Sequence, residues 1–118
     1  MRKFFNSFRF ALAGIVFLFR TQRNARLQAL AAIIVSVAGF VLHVSVSEWG
    51  LLFAAIAAVI AAEGFNTAVE VLADRVTLER DEKIRRAKDI SAAAVLIASA
   101  GAAAIGIVIF GPRVAALF

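Results

Sequence analysis

Residues 49–73 read WGLLFAAIAAVIAAEGFNTAVEVLA, a run of 25 residues without a Lys, Arg or Pro. A helix needs roughly 20 apolar residues to cross the hydrocarbon core of a bilayer, so this run is long enough to span one. Between Gly50 and Ala62 it has no polar side chain at all, whereas a soluble helix would carry a charged face. The second half then places Glu63, Asn66 and Glu70 in the same span. Ionisable groups within a span cost at least about 2.5 kcal/mol each on insertion scales, so a functional site is the default reading of this helix.

Two more spans flank it, Leu27 to Ser47 (27–47) and Ile90 to Pro112 (90–112), whose only ionisable residue is His43. The fold class expected is therefore all-α integral membrane, with transmembrane helices at 27–47, 49–73 and 90–112 and a cytoplasmic loop at 74–89. Whole-chain composition agrees: 63% of residues are hydrophobic, mean hydropathy is +0.91 and there is one proline. The net charge of +5 brackets the spans instead of lining a groove, which argues against nucleic acid as a partner. Without cysteine there is no disulfide, no thiolate metal site and no cysteine nucleophile.

Twelve of the thirteen basic residues precede the first span or lie between the second and third; only Arg113 follows the third. The positive-inside rule then places the N-terminus and the 74–89 loop in the cytoplasm, in a multi-pass membrane protein. Trp49 falls at the outer interface and His43 near the outer end of the first span. Residues 1–26 are too short in apolar run to span. Phe4, Phe5, Phe8, Leu12, Ile15, Val16 and Phe19 recur at helical spacing, which predicts an amphipathic helix on the cytoplasmic surface with Arg9 and Arg20 reaching to headgroups. The charged stretch 20–26 argues against removal of this segment as a signal peptide. Nothing divides the chain, so 1–118 forms one membrane domain.

Small residues recur every four positions at Ala54, Ala58 and Ala62 and at Ala94, Ala98, Ala102 and Gly106, a pattern that lets helix backbones approach closely. Three spans can hardly enclose a polar site on all sides, so a second copy is expected to cover the acidic face.

Glu63, Asn66, Glu70 and Asp74 are spaced three, four and four residues apart, which at about 100° per residue keeps them in one narrow stripe. This polar column runs from inside the span at Glu63 to its cytoplasmic end at Asp74, with Thr67 at its border. Its bland alternative is a set of interhelical hydrogen bonds. Carboxylates without cysteine or a histidine cluster suit Mg²⁺, which binds one or two carboxylates together with substrate phosphates. Lys88 and Asp89 open the third span at the same level, where an ammonium and free helix N–H groups can meet phosphate.

The segments Glu63-Gly64-Phe65-Asn66-Thr67-Ala68-Val69-Glu70-Val71-Leu72-Ala73-Asp74 and Ala87-Lys88-Asp89-Ile90-Ser91-Ala92-Ala93-Ala94-Val95 resemble the prokaryotic diacylglycerol kinase and undecaprenol kinase family. The resemblance covers essentially the whole chain. It implies a homotrimer with active sites between subunits at the cytoplasmic face, moving phosphate from ATP, with Mg²⁺, to the hydroxyl of undecaprenol or diacylglycerol. By the same resemblance, Glu63 is the general base, Glu70 binds the metal that accompanies the nucleotide, and Asn66 and Asp74 order the site. Lys88 and Asp89 would contact nucleotide phosphates, and Glu79 and Asp81 the nucleotide from the loop. Gln22 stands where many members have a second metal-binding glutamate, and Arg80-Asp81 where an aromatic and a histidine are frequent. The Asn24 and Arg26 spacing is closer to the undecaprenol branch. The competing class is a small proton-coupled transporter built on Glu63, which would leave Lys88 and Asp89 without a role.

Overall fold

The computed structural model describes residues Met1–Phe118 as four helices: α1 (Arg2–Thr21), α2 (Arg23–Val41), α3 (Val46–Val76) and α4 (Glu82–Ala115). The chain is all-helical, and all four helices are long and apolar enough to cross a membrane. Only 11 of 118 residues are buried, so the apolar side chains of the single chain mostly face outward, as expected where lipid or another copy replaces water.

The helices do not coincide with the apolar runs. The run 27–47 contains the end of α2 and the turn into α3. Val44 N–H bonds Gly39 O at 3.1 Å across His43, the one non-glycine residue with positive φ (54°), which is the geometry of a Schellman cap. Ser45 then starts α3 with a capping box: its hydroxyl accepts from Glu48 N–H and its own N–H donates to Glu48 Oε1. Hydropathy does not register such a stop. At the other end, most of 74–89 is helical. α3 continues to Val76, and Asp81 caps α4 by accepting from Ile84 N–H at 3.0 Å. Glu82 pairs with Arg85 and Arg86 along the first turns of α4, so the charged stretch is itself helix-forming. α4 also runs past Pro112 to Ala115.

The core lies at the Glu48 end. Val44, Leu52 and Ile109 form its centre, with Val35, Trp49, Ile105 and Phe110 packed around them. Trp49 stacks on Phe53 and covers Gly39, where an added Cβ would come within 2.7 Å of the indole. Glycine is therefore required where α2 and α3 cross. Arg113 closes the same end with a two-pronged contact to Glu48, each nitrogen 2.7 Å from a carboxylate oxygen. Hydrogen bonds from the Arg113 side chain and the Ser45 N–H pull the Glu48 carboxyl from 4.5 down to about 2.

α1 differs from the others. Of its residues only Leu18 is buried, although the expected apolar stripe does not include it; Phe4, Phe5, Phe8, Leu12, Ile15 and Val16 are all exposed. Leu18 lies against Gly64 of α3. Beyond the break at Gln22, Arg26 donates to the α1 carbonyls of Phe19 and Arg20 at 2.9 and 3.0 Å and so holds the elbow into α2.

Candidate active site

The polar column of α3 meets α2 and α4 at the Asp74 end. Glu63 is its most buried member, 1% exposed, and its Oε2 accepts from Gln28 Nε2 of α2 at 3.3 Å. One turn on, Asn66 is also buried. Its amide Nδ2 donates to Glu70 Oε1 at 3.3 Å, and its Oδ1 accepts from Ser91 Oγ of α4 at 2.8 Å. Lys88 Nζ lies 2.7 Å from Asp74 Oδ1. Three of the four residues of the column, Glu63, Asn66 and Asp74, therefore reach one neighbour each, Gln28, Ser91 and Lys88, on two other helices. The i, i+3, i+4 spacing of α3 makes this possible, because it keeps these side chains on the face that meets α2 and α4.

Two hollows adjoin the column. One, of about 310 Å³, lies among α2, α3 and α4 and is lined by 13 residues of which 10 are hydrophobic; Gln28 is on its wall. The other, of about 190 Å³, is a charged cleft at the α3–α4 turn, where Asp74, Glu79 and Asp81 face Arg80, Arg85 and Lys88. An apolar hollow and a charged one thus open at either end of a line of hydrogen-bonded carboxylates.

The remaining expected residues are placed less centrally. Asp89 is exposed and lies 4.0 Å from Arg85, with no contact to Asp74 or Lys88. Glu79 and Asp81 line the charged cleft, Asp81 while capping α4. Gln22 sits at the α1–α2 elbow, and its side chain hydrogen-bonds only to Thr21, not to Glu70. No three His, Asp or Glu side chains of one chain converge on a point. Glu70 has one oxygen engaged by Asn66 and the other left for a cation, so these residues fit a metal held largely by phosphate oxygens and not an all-protein cage. Gln28 and Ser91 were not singled out by spacing. A glutamine near the start of an apolar run and a serine three residues after Lys88 were the available signals.

The sequence pattern of the family described as prokaryotic diacylglycerol kinase matches residues 9–110. The chain belongs to that family. It is 35% identical over 113 residues to the undecaprenol kinase of Bacillus subtilis (strain 168), covering 96% of this chain and 92% of that protein. The diacylglycerol kinase of Pseudomonas aeruginosa is 32% identical over 98 residues, covering 83% of this chain and 80% of that protein. That of Synechocystis is 36% identical over 101 residues, covering 85% of this chain and 58% of that protein. This family member is a lipid kinase of the membrane, and its family implies a nucleotide co-substrate. Nothing in its relatives favours the transporter alternative.

Proposed function

We propose that this kinase transfers the γ-phosphoryl group of ATP to the primary hydroxyl of undecaprenol, with diacylglycerol as the other acceptor, at the cytoplasmic face of the bacterial inner membrane. The observation that carries the reading is the position of Glu63. It is buried beside an apolar hollow through Gln28 and stands at the head of a polar column whose far end holds Lys88. The undecaprenol preference draws on the Bacillus subtilis relative, which matches nearly the full length of the chain, and on the Asn24 and Arg26 spacing.

Membrane depth brings the lipid hydroxyl beside Glu63. The carboxylate takes the hydroxyl proton while the oxygen attacks the γ-phosphorus. The new O–P bond forms as the bond from that phosphorus to the bridging oxygen breaks and ADP departs. Eleven residues separate Glu63 from Asp74, about 16 Å along the helix, so the triphosphate would lie along α3 from Lys88 inward. Lys88 neutralises phosphate charge, and Asp74 holds its ammonium in place. Glu70, joined by the Gln22 carbonyl oxygen, would hold Mg²⁺, which when bound offsets charge on the phosphates. Asn66, fixed from α4 by Ser91, sets the Glu70 rotamer.

The N-terminal helix is read as lying on the cytoplasmic surface. The molecule measures 54 × 42 × 21 Å, and three helices packed 8–10 Å apart do not fill the 42 Å dimension. A 20-residue rod of about 30 Å, touching the bundle only near Leu18, accounts for the excess if it projects sideways. The other three helices then span. A homotrimer is proposed because so little of the single chain is buried and because one chain gathers too few metal ligands.

The test is phosphate transfer from γ-labelled ATP with Mg²⁺ in mixed micelles containing undecaprenol, diacylglycerol or neither. Lipid-dependent product that Glu63→Gln and Glu70→Ala both abolish is the expected result. Product that persists in Glu63→Gln would remove the base assignment, and no product with either lipid would remove the reading.

A further inference from the structure

α1 is charged in one sense only. The six basic residues of 1–26 have no acidic counterpart there, because all eight Asp and Glu residues of the chain lie between Glu48 and Asp89. The basic residues of α4 are served from within: Glu82 faces Arg85 and Arg86, and Asp74 holds Lys88. On α1, by contrast, Arg2, Arg9 and Arg20 are exposed and none of them is in an ion pair.

The spacing of these three arginines puts them in register. Steps of seven and eleven residues, at about 100° each, are two turns less about 20° and three turns plus about 20°, so the three side chains leave α1 along one line about 27 Å long. Leu18, the residue of α1 that lies against Gly64, falls about 160–180° from that line. The apolar stripe, centred on Phe8 and Leu12, lies between the two edges at about 90–100° from each. With α1 on the membrane surface, the Leu18 edge is fixed to the bundle, the stripe points into lipid, and the arginines form the outer rim at headgroup level.

Helix stability does not account for this row. A cation in the last turn, as at Arg20, suits the helix dipole, but Arg2 stands in the first turn, where the dipole opposes it and no acidic residue offsets it. The compensating charge for Arg2 therefore lies outside the helix. Nor does solubility require the row, since the face beside it is apolar and exposed at Phe5, Leu12 and Val16.

We propose that the outer edge of α1 is a docking surface for anionic lipids, with Arg2, Arg9 and Arg20 each taking a negatively charged headgroup of the leaflet in which the apolar stripe is immersed. The inference rests on the surface placement of α1 given above and adds the charge of the lipid that α1 selects. A guanidinium presents paired N–H donors that match two oxygens of a phosphate. A zwitterionic headgroup brings its own cation, which offsets the attraction. Each basic residue near an anionic surface favours it by about fivefold. The steps along the row, about 10.5 and 16.5 Å, exceed the reach of one phosphate group, so the arginines act singly and their preferences combine.

The experiment uses the full chain in phosphatidylcholine vesicles. The chain has no cysteine, so Ala13→Cys, about 20–40° from the arginine row, carries a single fluorophore. Its quenching is measured with a low mole fraction of phosphatidylglycerol or of phosphatidylcholine bearing a nitroxide just below the headgroup, and with phosphatidylcholine bearing the nitroxide at the chain end. The shallow phosphatidylglycerol label should quench about fivefold more strongly than its phosphatidylcholine counterpart. In about 1 M salt, where the screening length is about 3 Å, that ratio should fall towards one. Replacing Arg2, Arg9 and Arg20 together by Gln should bring it near one as well. Replacing all three by Lys keeps the charge and should hold it above about threefold. The salt series needs no change in the row, so it is independent of how the replacements fold. Equal quenching by the two shallow labels, a preference that survives salt or the Gln replacements, or its loss in the Lys variant would each overturn the assignment while leaving α1 on the surface. Stronger quenching by the chain-end label than by either shallow one would instead place α1 across the bilayer and overturn the surface reading itself.

Discussion

Lys88 Nζ and Asp74 Oδ1 lie 2.7 Å apart and join the first turns of α4 to the last turns of α3. The Lys88 and Asp74 side chains are 37% and 52% exposed, so the pair contributes under about 1 kcal/mol to stability. On the proposed mechanism its value is in placing an ammonium where phosphate arrives. Lys88→Met should therefore lower kcat/KM for ATP by about 10²–10³-fold while leaving the thermal midpoint within a degree or two. A variant that lost stability and activity in proportion would show Lys88 to be structural.

Ser91 offers a contrasting case, because the group it serves is buried. Its hydroxyl satisfies Asn66 Oδ1 at 2.8 Å, and Asn66 in turn holds Glu70. In Ser91→Ala the buried amide oxygen loses its partner, a loss of about 1–2 kcal/mol. Both unfolding midpoint and kcat should fall, with the lipid KM unchanged. Ser91→Thr retains the hydroxyl and should recover most of the loss.

At the opposite end, the Glu48–Arg113 contact should make stability acid-sensitive. Glu48 titrates at about 2 in the folded chain against 4.5 ordinarily. A depressed carboxyl contributes stability that is complete above about 4.5 and is lost as pH falls towards 2. Thermal unfolding in detergent between pH 6 and 2 should show this decline, and Arg113→Met should flatten it. Equal slopes in the two proteins would mean that other carboxylates dominate.

Gly39 is a packing prediction. A methyl there would lie 2.7 Å from Trp49 Cη2, and the indole is already stacked on Phe53 at a centroid distance of 5.3 Å. Gly39→Ala should destabilise by about 1–3 kcal/mol and shift the fluorescence of the single tryptophan as the ring is displaced. An unshifted spectrum would place the ring elsewhere.

The left-handed His43 gives a change of opposite sign. A side chain at φ 54° is strained relative to glycine, so His43→Gly should stabilise the chain by about 1 kcal/mol. Thermal unfolding checks it, and a lower midpoint would show that the imidazole makes up for the strain.

The helical class and the α3 column were legible in the sequence, because length and polarity within a span are local properties. Glu63, Asn66, Glu70 and Asp74 needed only helical periodicity to be set on one face. The helix ends were less legible. The stop at Leu42 depends on a backbone angle at His43, and the start at Glu82 on a cap by Asp81, neither of which alters an apolar average. Gln28 and Ser91 were hidden for another reason. Each matters through a residue on a different helix, 35 and 25 positions away, and no single-helix pattern encodes such a pairing. Leu18 escaped similarly, since the stripe on α1 marks the face turned away from α3.

The hollow beside Glu63 has a last consequence, for traffic. On the proposed reading a neutral alcohol enters it at little expense, but phosphorylation gives the lipid head about −1.5 to −2 charge at neutral pH. Walls that are almost wholly hydrophobic solvate that charge poorly, while the Asp74 end of the column opens on a polar cleft where Lys88, Arg80 and Arg85 stand opposite Asp74, Glu79 and Asp81. On that reading the product is expelled by the reaction that makes it, towards the polar end of the column. Turnover in such a site is biased outward, and accumulated product competes weakly with fresh substrate.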